Sequence, residues 1–223
     1  MKFYDLSIEL SPATITWPGE RPMGKKEFKT SAITSRLDIP SHFGTHIDAP
    51  RHFLFNAPGV DQIDLKKLIG KARVISVKAD SPPLQASLPA RQGGVRGGKK
   101  GTLISKAQLQ KHSIKKGEKI LLKTGSYRLL KKNKFTADYS SLSLEAAQYL
   151  AKVGIDLVGI DYFGIEAKSA PGHPVHKALL AKKIVIIEGC DLSKVPNGNY
   201  NIAALPLKLK NGDGAPSRVV LWD

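Results

Sequence analysis

A chain of 223 residues with 41% hydrophobic and 24% charged residues suits a single well-packed globular domain. The net charge of +16 is spread over separate lysine pairs without interleaved aromatics, which fits a solvated basic surface and an anionic small molecule better than a nucleic-acid-binding ribbon. No apolar run reaches the eighteen or so residues of a membrane-spanning helix, and the lone Cys190 excludes an intrachain disulfide and reads as a buried thiol.

In chain order, residues 3–10 alternate as an opening strand, and the first residues lack the apolar core of a signal peptide, so a cytoplasmic protein is expected. Ser11-Pro12 and Trp17-Pro18-Gly19 mark a loop with turn chemistry, whose Trp17 reads from the residues alone as packing over the core. Residues 28–39, rich in Thr and Ile, predict a strand leading into Ser41-His-Phe-Gly-Thr-His-Ile-Asp-Ala-Pro-Arg-His-Phe53. Gly44 and Pro50 oppose a helix there. In an extended segment His42, His46, Asp48 and His52 share parity and lean to one side. Three imidazoles and a carboxylate in eleven positions form a nitrogen-and-oxygen donor set suited to zinc and acceptable to manganese or iron. Gly44 permits close approach, Thr45 can satisfy local backbone groups, and Pro50 stiffens the exit.

Residues 61–69 predict a short helix stopped at Gly70, and residues 72–77 a buried strand. Residues 81–101 hold three prolines and then a Gly/Arg/Lys-rich run that matches neither phosphate-binding nor dinucleotide patterns, and read as a surface loop. Ser105 caps a short helix carrying Leu109 and His112, the latter a surface residue. Residues 119–123 form a strand running into Thr124-Gly125-Ser126-Tyr127. Ser143 caps a helix through Lys152 that ends at Gly154, and residues 155–160 are a buried strand with Asp161 at its end. Asp161 reads equally as a ligand or as a group that orients its neighbours. His173-Pro174-Val175-His176 opens a short helix to Lys183, and the apolar strand 184–187 delivers Glu188. A carboxylate at the end of a buried strand is costly unless coordinated or paired.

His42-x-Gly-Thr-His46-x-Asp48-Ala-Pro-x-His52 resembles the signature of the metal-dependent cyclase-like hydrolases, the family that contains bacterial kynurenine formamidase and isatin hydrolase. The resemblance implies that His42 and His46 bind one metal, that Asp48 is shared, and that His52 donates and accepts protons. The interval from His176 to Glu188 is also similar to the family's, implying that His176 binds a second metal and that Glu188 bridges with Asp48. His173, at the wrong interval, is expected to contact substrate, with Trp17, Phe53 and Tyr127 as an aromatic pocket. Residues 192–195, 200–207 and 218–222 fit the family's closing strands. The implied fold is α/β, a single strand-rich domain of the swivelling β/β/α type, assembled as a homodimer or homotetramer.

The implied activity is hydrolysis of an aryl formamide such as N-formylkynurenine by metal-activated water, with two divalent ions, zinc first and manganese second. A cyclic amide or lactone, isatin-like, is the alternative substrate. A basic nucleic-acid-binding protein with structural histidines is the alternative from another class. No Gly-x-Ser-x-Gly elbow supplies a serine nucleophile. One departure from the formamidases stands out: Gly159-Ile160-Asp161 continues as Tyr162-Phe163-Gly164-Ile165-Glu166, where a Thr-Pro-Ser type loop is typical.

Overall fold

The computed structural model describes residues 1–77, 102–132 and 134–223, so the loop expected at 81–101 lies outside the described residues. Its centre is a sheet that closes on itself. Strands β1 (Phe3–Asp5), β4 (His46–Asp48), β5 (Ile69–Ser76), β7 (Lys119–Lys123), β9 (Leu157–Ile160), β10 (Val185–Glu188), β11 (Gly198–Pro206) and β12 (Gly214–Trp222) share it. The order is β1-β12-β11-β5-β7-β9-β10-β4, and a further β4–β12 pairing closes seven of them into a barrel with β1 appended, while β6 (Leu103–Ile104) and β8 (Ser141–Leu142) pair apart from it. The run β5-β7-β9-β10 is parallel, while β4, β11 and β12 run antiparallel to their neighbours.

Three helices cover the parallel run, as crossover connections require. They are α2 (Lys106–Gln110), α3 (Leu144–Val153) and α4 (Pro174–Leu180). Alternation along each strand separates two cores. Val74, Leu121, Val185 and Ile187 point into the barrel with Ile47, Ile202 and Val219. Ile75, Ile120, Leu122, Val158, Ile160 and Ile186 point outward and pack under Leu109, Leu150, Val175 and Leu179 of the helices. This is the strand-rich α/β layering that the sequence implies.

Local signals explain several boundaries. Ser105 and Gln108 form a capping box at α2, Ser143 caps α3 through Ala146 N–H, and Gly154 ends it at φ 77°. Other expectations need correction. The segment 28–39 is the hairpin of β2 (Gly24–Lys29) and β3 (Ile33–Asp38), turning at Thr30 without a glycine, proline or asparagine to announce it. The opening strand stops at Asp5, because Ser7 and Ile8 N–H turn to the side chains of Asp5 and Thr45. Residues 61–69 divide into a 3₁₀ turn and α1 (Leu65–Leu68), capped by Asp64, and Ile69 already belongs to β5. Residues 192–195 form no strand.

Candidate metal centre

The register between two short strands places the first donors. In the β4–β10 ladder Glu188 stands opposite His46 and Ile186 opposite Asp48. Ile47 and Ile187 fill the barrel, so His46, Asp48 and Glu188 emerge together on its outer face. Helix α4 then lays His176 over them. Its Nε2 lies 3.3 Å from Glu188 Oε1 and 3.7 Å from Asp48 Oδ2. The early cluster and the late one therefore form a single constellation.

His46 and His176 are each held at Nδ1 and face Asp48 and Glu188 with Nε2, whereas His42 meets a carboxylate at each nitrogen. His46 Nδ1–H donates to Gly44 C=O at 3.0 Å, leaving Nε2 at 3.4 Å from Asp48 and 3.6 Å from Glu188. His42 turns Nδ1 to Asp48 at 2.9 Å and Nε2 to Asp213 at 3.0 Å. Its ring has room because residue 214, opposite Asp48, is glycine. A Cβ there would lie 2.7 Å from both His42 Cε1 and Ile47 O. His176 holds Glu166 at 2.7 Å through Nδ1. Thr45 makes no local bond but donates to Gly189 C=O across the barrel end at 2.7 Å.

His52 reaches the site by another route. Pro50 starts a 3₁₀ turn, Pro50–His52, so the extended reading of this segment fails beyond Asp48. The turn nevertheless stacks His52 on His42, ring centroids 3.9 Å apart, with Nδ1 3.8 Å from Asp213.

Charge is concentrated where water is scarce. Asp48 is 1% exposed, and its Oδ2 accepts no hydrogen bond from the described residues. Burial raises the Asp48 pKa, but hydrogen bonds and charge from His42 and His46 outweigh it and hold the carboxyl well below its usual range. Burial also disfavours charge on His42 and His176. Asp213 and Asp48 overcome it at the first, Glu166 and Glu188 at the second, and both pKa values rise to about 10. Such a cationic pair of rings around an orphaned carboxylate oxygen is what a nitrogen-and-oxygen metal site becomes when protons replace the ion. Among the described residues three donor trios bring one atom per residue within 4.8 Å of one another: Glu166-His173-His176, and the pair Asp48-His176-Glu188 and His42-Asp48-His52. Asp48 belongs to both of that pair, so the donor set fits divalent cations sharing that carboxylate.

A cavity of about 300 Å³ opens above the donors. Trp17, Phe53, Phe163 and His173 line it, with Lys168 and Glu20 among its other walls. Trp17 packs edge-on against Phe135 at 4.8 Å, and Phe53 stacks with His173 at 4.5 Å. Tyr127 is not among the described residues that line it. Thr124 and Gly125 N–H both donate to Asp161 at 2.9 Å, and the 3₁₀ turn that follows sets the Tyr127 ring against Lys123 and Arg128 instead. Asp161 thus orients a loop and holds no place among the donors. Glu166 and Asp213 escaped the sequence reading. Asp213 sits in a Gly-Asp-Gly turn that resembles any surface loop, whereas Glu166, a carboxylate amid apolar residues after a buried strand, carried the same signal that marked Glu188.

Comparison with known proteins agrees with this geometry. Residues 4–167 match the family model described as "Putative cyclase". The chain is 31% identical to the kynurenine formamidase of Salinibacter ruber, over 100% of this chain and 98% of that protein. It is also 31% identical to that of Bacillus anthracis, over 99% and 97%. A solved potential metal-dependent hydrolase with cyclase activity superposes with a TM-score of 0.81 at 30% identity, covering 99% of this chain and 96% of that one. Isatin hydrolase A from Ralstonia solanacearum shares the fold, with a TM-score of 0.76 at 21% identity over 99% and 91%.

Proposed function

This chain belongs to the cyclase family, and from that premise we propose that it is a metal-dependent amidohydrolase that cleaves the C–N bond of an aryl formamide, with N-formylkynurenine as the leading substrate. The single observation that carries the reading is Asp48: a buried carboxylate with an orphaned oxygen, shared by two donor trios at the floor of an aromatic-walled cavity.

In this reading His42 and His46 would hold one divalent ion and His176 a second, with Asp48 and Glu188 available to both. Zinc is the first choice for the imidazole-carboxylate set and manganese the second. Bound there, divalent ions supply Lewis-acid polarisation of a carbonyl and bring the pKa of water from 15.7 to about 7. His52, at the cavity wall with no backbone tether at its ring, collects the proton of the attacking water. It returns that proton to the departing amine nitrogen as the C–N bond breaks, so formate and an aromatic amine leave. Trp17, Phe53 and Phe163 supply flat apolar walls for the aryl ring, and His173 closes the rim.

We read the chain as one hydrolase domain acting on a small molecule in the cytoplasm. The lone cysteine suits a reducing compartment, and no described helix is long and apolar enough to cross a membrane. The β2–β3 hairpin supports a homodimer or homotetramer. Every residue of both strands is exposed, Phe28, Ile33 and Leu37 included, and a two-stranded ribbon is marginal alone in water.

The test is a substrate panel on protein reloaded with zinc or manganese: N-formylkynurenine, isatin and simple lactones. Formate release from the formamide, exceeding ring opening of the others, is expected. Faster turnover of isatin or a lactone would move the reading to a cyclic substrate. No turnover of any, together with a salt-dependent shift of DNA or RNA in a gel, would replace it with nucleic-acid binding.

A further inference from the structure

The segment leaving β9 returns beneath α4 with two consecutive residues that each hold a member of the centre. Ile165 N–H donates to Glu188 Oε1 at 2.6 Å. Glu166 follows, 3% exposed, and divides its oxygens: Oε1 accepts from Val175 N–H and Oε2 from His176 Nδ1–H, both at 2.7 Å. The dipeptide itself is pinned. Tyr139 Oη–H donates to Glu166 C=O at 2.7 Å, and Leu142 N–H to Ile165 C=O at 2.8 Å. Gly164 packs so closely on Tyr139 that a Cβ would fall 2.6 Å from its hydroxyl. The Glu166 carboxylate is therefore presented from a fixed backbone.

An ionised carboxylate only accepts hydrogen bonds, so the proton of His176 must sit on Nδ1 when the ring carries a single one. That leaves the Nε2 lone pair aimed at the space shared by Asp48 and Glu188. Imidazoles that bind metals commonly rely on such an outer acceptor to fix tautomer and ring angle. His173 cannot replace Glu166 in this: it is exposed, lies 3.5 Å from the same oxygen, and carries a positive φ of 53° at the start of α4.

We propose that Glu166 is a positioning residue for the His176 half of the centre, fixing the ring so that Nε2 is available to a metal ion beside Asp48 and Glu188. This deepens the hydrolase reading and rests on it only for the reaction, since metal binding is measured without substrate.

Glu166→Gln makes a specific prediction. The amide must direct its oxygen to Val175 N–H, which leaves its NH₂ facing His176 Nδ1. Nδ1 then becomes an acceptor, and the proton moves to Nε2, where it opposes the metal. Zinc titration against a chromogenic chelator should show one of two zinc equivalents weakened about 10–100-fold. Imidazole ¹⁵N spectra of the zinc-loaded protein should lose the hydrogen-bonded Nδ1–H resonance of His176, a signature that a merely structural glutamate would not move. Glu166→Asp retains an ionised acceptor, so it should keep that resonance and weaken zinc less. Two zinc equivalents at wild-type affinity, with the resonance retained, in Glu166→Gln would overturn the proposal. If that variant does not fold, the zinc-loaded wild type decides: a His176 ring without a hydrogen-bonded Nδ1–H resonance in the imidazole ¹⁵N spectrum would overturn it equally. Wild-type protein that binds zinc yet cleaves no formamide would end the hydrolase reading and leave the zinc comparison standing.

Discussion

His46 and Glu188 stand directly opposite each other across the β4–β10 ladder, and their side chains meet at 3.6 Å on the outer face of the barrel. A ladder register cannot slip by one residue without sending every side chain of β4 to the other face. Ile47 would then leave the barrel core and His46 would enter it. The fold of the sheet and the assembly of the centre are thus one constraint.

Replacing Glu188 tests that constraint. Glu188→Gln keeps an acceptor for Ile165 N–H but removes the charge that faces two imidazoles. We expect the fold to survive, zinc affinity to fall by at least about tenfold, and formamide turnover to fall with it. Circular dichroism and zinc titration on the same sample check this.

Protonation gives a second prediction. His42 and His176 have pKa values of about 10 in the folded, metal-free protein, against an ordinary 6.5. The folded state therefore binds more protons between those values. Its extra stability is full below pH 6.5 and is lost as pH rises through 10, at up to about 1.4 kcal/mol per pH unit for each ring. Asp48, with its lowered pKa, contributes above the usual 3.8 and loses its contribution as pH falls through the depressed value. Metal-free protein should accordingly melt at its highest temperature near pH 4–6.5 and at falling temperatures toward pH 10. Zinc affinity should rise over that same alkaline range, because zinc competes with those protons.

Gly214 gives a third. A methyl at this position meets both the His42 ring and Ile47 C=O at 2.7 Å, and the carbonyl belongs to a paired strand that has little freedom to move. Gly214→Ala should destabilise the fold by roughly 1–3 kcal/mol, the usual range for overpacking. It should also weaken zinc on the His42 side while sparing the His176 side. Chemical denaturation and zinc stoichiometry separate the two effects.

Cys190 gives the fourth. It is fully buried, and burial, reinforced by Asp161, Glu188 and Asp191, raises its thiol pKa far above the ordinary value. A chromogenic disulfide reagent should leave the folded protein unlabelled for hours and release one equivalent on denaturation. Rapid labelling of native protein would contradict this placement.

How much of this was legible in the sequence depended on distance along the chain. His42, His46, Asp48 and His52 announced themselves because eleven contiguous residues carry the pattern. Glu188 was legible as a charge ending an apolar strand, and Ser143 with Gly154 framed α3 through local capping chemistry. The hairpin turn at Thr30 was not legible, since no residue there demands a special backbone angle. Tyr127 was misplaced because Asp161, distant in sequence, dictates how its loop leaves β7. The partners of His42 and His176, Asp213 and Glu166, are fixed by contacts between elements that no spacing rule connects.

The most direct test of the centre is metal content per chain, by elemental analysis of wild-type protein and of Asp48→Ala after reloading with zinc. Because Asp48 is shared by two donor trios, the wild type should hold two ions per chain and the variant should lose both, along with formamide turnover. A variant that kept two ions, or a wild type that bound none, would contradict the account.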